Sequence, residues 1–529
     1  MKERIAAAMD IFTQPKHFKL RLFLEGNLIG FCTGLVIALF RFLLELSEEW
    51  QPAFYAYLRE NPLATIGWFT VLAGIGYVLC WIVRRDGMTS GSGIPQIKGI
   101  LAGQMHMNWA RVLVLKFIGA VLGIGAGLSL GREGPSVQLG ACVGQGIGRL
   151  GHRSRAENRY LLTAGAGAGL AAAFNAPLAG VIFCLEELTK NFSPLVLMGA
   201  IAATVTSTTV TQVFFGMQPV FHLGDIPVAR TGDIYLLIVI LGIFVGVLGL
   251  AFNRMLTISL DAYAHAPLRD WQKPIVPLFT AGILGFVLPQ VLGGGSRLVD
   301  SLVVTDYSLL MLLVLLAGKF FFTMLCFGSG VPGGIFLPML VLGSVGGAVF
   351  AQLAVVLGLM DPVWTVDCIV FGMAAYFAAV VKSPVTGAIL IMEMTGSFDH
   401  MLALILVSMT AYLVADLTDG LPVYDMLLSR SLALRDKIAS RIRGHRIMAE
   451  ISVGEGSLLA AARIMDIKWP GSGLLVNVRR GTEELVPTGS LQLQAGDYLY
   501  VFIDAGAVPQ LQGLAGERIA APPVEAPKE

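Results

Sequence analysis

From Ile234 to Phe252 the chain runs without a single charged residue. As a helix rising about 1.5 Å per residue, such a run reaches most of the way across a hydrocarbon layer ~30 Å thick. Leu63 to Val83 is equally uncharged, and Leu309 to Phe327 is interrupted only by Lys319. Backbone in lipid must satisfy its hydrogen bonds within the protein, which leaves helices or closed barrels, and runs of this length exceed a barrel strand. Composition extends the point to the whole chain. Charged residues make up 14% of the 529 and hydrophobic ones 55%, against about 25% charged in an ordinary soluble protein; no soluble globule buries that much apolar surface. The balance of 37 basic against 36 acidic residues leaves a formal net charge of +1, with no basic excess to attract nucleic acid. The fold class implied is an all-α polytopic membrane protein.

Other apolar stretches are interrupted. Tyr160 to Leu185 contains Gly-Ala-Gly-Ala-Gly and then Phe174-Asn175-Ala176-Pro177, while Ile335 to Leu359 carries an early Pro338. Both read as broken or partial helices, which membranes tolerate only where the freed backbone lines a cavity or is buried in protein. The 62 glycines allow helices to approach closely and predict a dense bundle. An internal repeat is visible: Pro177-Leu-Ala-Gly180 precedes Glu186 as Pro384-Val-Thr-Gly387 precedes Glu393, with the breaks Gly131-Arg-Glu-Gly134 and Gly330-Val-Pro-Gly333 upstream. Repeats of this kind frame a site near the bilayer midplane.

The six cysteines are scattered singly in apolar segments, with neither a disulfide framework nor metal-ligand spacing. Met1 to Gly26 is punctuated by charge, lacks the apolar core of a cleavable signal, and reads as an amphipathic cytoplasmic helix. Basic residues gather there and again at Arg430, Arg435, Lys437, Arg441, Arg443 and Arg446, so both termini are expected in the cytoplasm and the number of crossings even. Beyond about Gly444 the pattern changes. Alternation at Leu491-Gln-Leu-Gln, the turn Gly496-Asp497 and the run Tyr498 to Ile503 predict a small cytoplasmic α/β domain, followed from about Ala520 by an Ala-, Pro- and charge-rich tail expected to be disordered. The expected divisions are a cytoplasmic segment 1–19, a membrane domain 20–435, a cytoplasmic domain 446–516 and a tail 517–529.

Chemistry concentrates at the breaks. Gly91-Ser-Gly-Ile-Pro95, Gly131-Arg-Glu-Gly-Pro135 and Gly328-Ser-Gly-Val-Pro-Gly-Gly-Ile-Phe-Leu-Pro338 each place glycine and proline before an apolar helical run, the pattern of a helix N-terminus. Such ends present free N–H groups and a positive dipole to an anion; read singly, each is equally a tight turn for close packing. Glu133 is a carboxylate at membrane depth and so a functional candidate. In front of a helix N-terminus it would occupy an anion position when ionised and vacate it when protonated. Glu186 and Glu187 end an apolar run, where they are either functional or simply mark its cytoplasmic end. Lys116, Lys319 and Glu393 read as structural charges that snorkel or pair.

These motifs, with Phe174-Asn-Ala-Pro-Leu-Ala-Gly180 and Gly334-Ile-Phe-Leu-Pro338, resemble the CLC family of chloride channels and chloride/proton antiporters over about Leu20 to Arg430. The resemblance implies an inverted repeat of tilted and broken helices, a homodimer with a pore in each subunit, and location in a cytoplasmic (inner) membrane. It implies that chloride is held by the Ser92 and Tyr424 hydroxyls and by backbone N–H groups of Ile335 and Phe336, with Gly93 and Ile94 completing the Ser92 loop. It also implies that Glu133 gates and carries protons, and that Glu187, with Glu186 nearby, passes protons on the inner side. Gln96, where the family often has Glu, and Ser136, where it often has Thr, are mild departures. The activity implied is chloride/proton antiport without a cofactor; the alternative is a passive chloride channel of the same architecture. An intramembrane hydrolase built on Ser92-Gly93 or Ser329-Gly330 is a remote rival, since the seven histidines sit in polar or loop-like contexts.

Arg446 to Gly516 resembles the TrkA-C subdomain of RCK proteins through Leu474-Leu-Val-Asn-Val-Arg-Arg480, Val486-Pro-Thr-Gly489 and Gly496-Asp-Tyr-Leu-Tyr-Val501. That implies a regulatory or dimerisation domain. Some relatives bind cyclic di-AMP at such an interface, with Asn477, Arg479 and Arg480 as the candidate contacts here; neighbouring strand positions face opposite sides, so at most one arginine lines a given pocket.

Overall fold

A computed structural model describes residues 15–221, 232–418, 420–442, 446–454, 456–480, 483–504 and 507–516. Most of the expected segment 1–19 and the whole expected tail 517–529 lie outside the described residues. The chain divides into two compact units, Met1–Leu428 and Ser429–Glu529.

Among the described residues the first unit is built of helices, with no named strand. In its first half these are α1 (Pro15–Glu60), α2 (Pro62–Arg85), α3 (Ile94–Leu101), α4 (Trp109–Gly125), α5 (Glu133–Leu150), α6 (Arg155–Phe174), α7 (Pro177–Phe183) and α8 (Pro194–Phe215). The long α9 (Gly232–His265) leads to α10 (Ile275–Val287), α11 (Ser296–Val304), α12 (Leu309–Gly328), α13 (Phe336–Val356), α14 (Thr365–Val381), α15 (Pro384–Thr395) and α16 (Met401–Asp416); α17 (Val423–Ile442) begins in the first unit and continues into the second. Among the described residues eight helices are long and apolar enough to cross a membrane, including those that contain the three uncharged runs.

From Pro15 the N-terminal stretch is helical, as the start of α1, since proline is accepted in a helix's first turn and no further proline follows until Pro52. One expectation changes. Ile335 to Leu359 is not broken: Pro338 lies in the first turn of α13, which then runs unbroken to Val356.

The repeat extends well beyond the motifs that announced it. The loop before α3 has left-handed glycines at Gly91 (φ 63°) and Gly93 (φ 103°), and the loop before α11 repeats them at Gly293 (φ 61°) and Gly295 (φ 98°). Lys116 on α4 donates to the carbonyls of Thr89 and Gly91 at 3.0 and 2.5 Å, and Lys319 on α12 donates to Val291 and Gly293 at 3.0 and 2.7 Å. These lysines are fully buried. They do not snorkel, and among the described residues neither forms a salt bridge; loop carbonyls close by supply the acceptors a buried ammonium needs. In α5 and α6, a Cβ on either Gly140 or Gly165 would fall on the other's carbonyl oxygen; Gly343 and Gly372 repeat that crossing between α13 and α14. Helices that lack side chains at the crossing pack backbone to backbone, which in lipid replaces the missing hydrophobic drive.

The second unit holds an antiparallel sheet of order β1-β4-β2-β3, with β1 (Arg446–Ser452), β2 (Leu474–Arg480), β3 (Glu483–Leu485) and β4 (Tyr498–Asp504), followed by α18 (Val508–Ala515). Leu499, Val501 and Ile503 alternate inward along β4 and bury their side chains beside Ile451, Val478 and Leu511. The alternation at Leu491 to Gln494 marks burial of Leu493 but no named strand; only an isolated bridge joins Gln492 to Arg463.

Candidate functional site

Backbone hydrogen bonds draw the three glycine-rich breaks together. Gly91 donates to Val331 at 3.2 Å and accepts from Gly333 at 3.0 Å, while Gly131 and Gly334 exchange bonds of 2.6 and 2.8 Å. Space at the junction admits no side chain at Gly134, where a Cβ would fall on the Ser92 hydroxyl. From this knot three helices set out, α3, α5 and α13, so their positive ends share one region of the protein interior.

Seven of the expected residues lie at or near the knot. Glu133, first residue of α5, is fully buried, and its Oε2 accepts the N–H of Leu337 at 3.3 Å. That N–H belongs to the first turn of α13, whose donors have no partner within the helix. Ile335 caps α13 and Phe336 begins it, with the Phe336 ring wedged between Phe174 and Phe377 at centroid distances of 5.4 and 4.7 Å. Ser92 and Tyr424 are buried, and neither hydroxyl forms a hydrogen bond within the described protein. Tyr424, second residue of α17, lies within electrostatic reach of both Glu133 and Glu187. Gly93 takes its positive φ at the N-cap of α3, hard against Gln138, and Ile94 is the buried first residue of that helix.

Glu187 and Glu186 are adjacent yet separated in role by local geometry. Both sit in a π-helical turn, Cys184–Leu188, whose i→i+5 bonding ends α7. Glu187 turns inward and is buried. Its Oε1 accepts from Lys98 at 2.7 Å and its Oε2 from Ser383 at 2.8 Å, and Lys98 also pairs with Asp425. Glu186 instead accepts the N–H groups of Val385 and Thr386, at 3.2 and 2.6 Å, capping α15. Sequence reading passed over Lys98, Ser383 and Asp425. Asp425 adjoins Tyr424 and Lys98 lies four residues into α3, so their positions beside candidate residues were the available signal.

In the second unit, Arg480 is held by Asp497 through two bonds of 2.8 Å and also donates to the Gln492 carbonyl. Arg479 lies over the Tyr498 ring at 4.8 Å, with Glu450 at 3.6 Å. Asn477 sits at a register shift in β2. The two arginines thus meet different partners.

The serines of the hydrolase reading do not meet a base: Ser329 donates to the Cys326 carbonyl, and Ser92 has no partner among the described residues. His400 is buried but in a polar setting, in a short turn between Ser397 at 2.5 Å and Asp367 at 3.3 Å. The small cavity of about 20 Å³ beside Asp367 has an apolar lining that does not include Ser397.

Residues 75–416 match the family described as voltage gated chloride channel, and 448–516 match the TrkA-C domain. The H(+)/Cl(-) exchange transporter ClcA of Vibrio vulnificus is 35% identical over 422 residues, spanning 78% of this chain and 90% of that protein. Its counterpart in Citrobacter koseri is 35% identical over 434 residues, spanning 79% and 90%. Among solved structures, a slow cyanobacterial Cl-/H+ antiporter superposes with a TM-score of 0.74 at 32% identity, covering 78% of this chain and 98% of that one. A eukaryotic CLC transporter shares the fold, with a TM-score of 0.66 at 24% identity, covering 78% and 74%.

Proposed function

The chain belongs to the voltage gated chloride channel family, and from that membership we propose that it exchanges chloride for protons across a cytoplasmic membrane. The single observation that carries this reading is the seat of Glu133. Its carboxylate accepts an N–H of the first turn of α13, so an ionised side chain occupies an anion position that a halide can take once the group is protonated and withdraws. One residue thereby couples the two ions.

Chloride on this reading lies between the Ser92 and Tyr424 hydroxyls, with the first N–H groups of α13 at Ile335 and Phe336 and the loop of Gly93 and Ile94 beside it. Support comes from the two buried hydroxyls, which have no hydrogen-bond partner in the described protein; buried polar groups rarely remain so, and each suits an external hydrogen-bond acceptor such as an anion. No full positive charge is needed, which allows the ion to leave. Glu187 is assigned the inner proton step, supported by its burial and its salt bridge to Lys98. Glu186 is assigned the cap of α15 instead, since backbone donors engage both its oxygens.

The working unit is proposed to be a homodimer in lipid, with both termini cytoplasmic. The C-terminal domain is proposed to regulate transport, supported by its match to TrkA-C. A cyclic dinucleotide such as cyclic di-AMP is its candidate ligand, with Asn477 and Arg479 as contacts; Arg480 is already engaged by Asp497.

Reversal potentials of the reconstituted protein under opposed chloride and pH gradients test the exchange. Antiport requires a potential set by both gradients. A potential that follows chloride alone selects the passive channel.

A further inference from the structure

The gate region contains a near-contact that the proposed exchange does not use. Arg132 Nε and Glu133 Oε1 stand 4.0 Å apart, both buried and both without a hydrogen bond. Two opposite charges in that condition gain by closing the gap, since a buried polar atom left unsatisfied costs on the order of 1–3 kcal/mol or more. Something restrains them. The other end of the guanidinium is bonded elsewhere: Arg132 Nη1 donates to Glu45 Oε1 at 3.1 Å. The same oxygen accepts from Arg41 Nη2 at 3.3 Å. Arg41 is itself fixed, by a bond to the Ala172 carbonyl at 3.2 Å and by its position over the Phe215 ring at 4.1 Å. Glu45 is therefore held on one side by an arginine with two further contacts and holds the gate's arginine on the other.

We propose that Glu45 is a positioning residue for the gate, keeping Arg132 from closing on Glu133 and so keeping Glu133 free to take up a proton. This rests on the assignment of Glu133 as the gate. Glu45 lies one helix away from the motifs, on α1. From Arg21, which pairs with Glu157 near the basic N-terminal region, the 24 residues to Glu45 amount to about 36 Å along an α-helix. That exceeds the ~30 Å of a bilayer core, and it puts Glu45 on the face where protons from outside arrive if the N-terminus is cytoplasmic. A cavity of about 250 Å³ is lined by Arg41, Glu45, Glu48 and Arg132 and gives water access to the cluster. The other charged or titratable groups facing Glu133 are Arg132 beside it, Glu48 on α1 and Tyr424 on α17, and Glu48 in turn sees Arg297 on α11 and Lys319 on α12.

Two effects of removing the Glu45 charge have the same sign. Arg132 is released toward Glu133, and a like charge is lost from its surroundings; both favour ionised Glu133. The test is chloride-driven proton flux in proteoliposomes as external pH is varied, for wild type, Glu45→Gln, Glu45→Asp, Glu133→Gln and the Glu45→Gln/Glu133→Gln double variant. Glu45→Gln should need an external pH lower by about one unit for half-activation, with the number of chlorides moved per proton unchanged, and Glu45→Asp should restore most of the shift. Chloride flux in the double variant should match that of Glu133→Gln at every pH. An unshifted or alkaline-shifted profile for Glu45→Gln, in protein that elutes and melts like wild type, overturns the proposal. So does loss of thermal stability in Glu45→Gln and Glu45→Asp with no shift in either. If Glu133→Gln itself still exchanges protons, it is the gate assignment that fails.

Discussion

Glu186 and Glu393 cap each other's half of the molecule. The Glu186 carboxylate accepts the N–H groups of Val385 and Thr386 at the start of α15, and Glu393, on α15, accepts those of Leu178 and Ala179 at 3.0 and 2.7 Å at the start of α7. The two halves are thus joined by a reciprocal pair of helix caps in which each acid satisfies donors that its partner's helix leaves orphaned. Glutamate at both positions follows from this geometry, without any proton chemistry.

Replacing Glu186 should therefore read out as stability. Glu186→Ala is expected to cost about 1–2 kcal/mol, seen as a lower melting temperature in detergent, with proton flux per folded protein close to wild type. A selective fall in proton flux with an unchanged melting temperature would return Glu186 to the proton path.

Glu187 should behave in the opposite way. In Glu187→Gln, Lys98 keeps Asp425 as its partner and Ser383 keeps an acceptor, so the fold should tolerate the change while proton flux drops and chloride binding measured by calorimetry persists. Lys98→Met strands a buried carboxylate and should destabilise by about 3 kcal/mol. Equal melting temperatures for the two variants would contradict the pairing.

Tyr424→Phe separates binding from structure. Its hydroxyl has no hydrogen-bond partner in the described protein, so removing it should leave the melting temperature within a degree or two in the absence of chloride. Chloride binding should weaken by roughly tenfold, one hydrogen bond to a charged ligand being worth ~1.5 kcal/mol. A large loss of stability with unchanged affinity would make the hydroxyl structural.

Much of this was legible in the sequence. The uncharged runs gave the membrane class, and the glycine and proline breaks marked the helix starts that meet at Glu133. The repeat showed itself only at Pro177/Pro384 and the glycine breaks, because its other elements are conformational. Gly91 and Gly293 share a φ near +60°, yet Ser92 and Gly294 differ as residues, and Lys116 and Lys319 match only once their carbonyl partners are seen. Lys98, Asp425 and Glu45 stayed hidden because an ion pair across distant helices leaves no periodicity. In the C-terminal domain the strands and turn were legible from alternation, while the engagement of Arg480 by Asp497 was not, since it depends on which face each strand position presents.

That ion pair carries a pH dependence. Burial pushes the Asp497 carboxyl up, but the Arg480 guanidinium and the Gln494 N–H outweigh it, and the group titrates below its ordinary range. A carboxylate depressed in the folded state adds stability that is fully present above its unfolded value of about 3.9 and is lost as pH falls through the folded value. Hydrogen exchange at β4 in the intact protein should show wild type better protected than Asp497→Asn at pH 6, with the difference shrinking below pH 4. A difference that persists undiminished at pH 2 would assign the effect to packing.

The most direct measurement of the central claim is chloride-driven proton uptake in proteoliposomes containing Glu133→Gln, followed with a pH electrode beside a chloride electrode. A neutral side chain can neither titrate nor compete for the α13 seat, so proton uptake should vanish while chloride continues to move. Proton uptake that persists in step with chloride would contradict Glu133 as the residue that couples them.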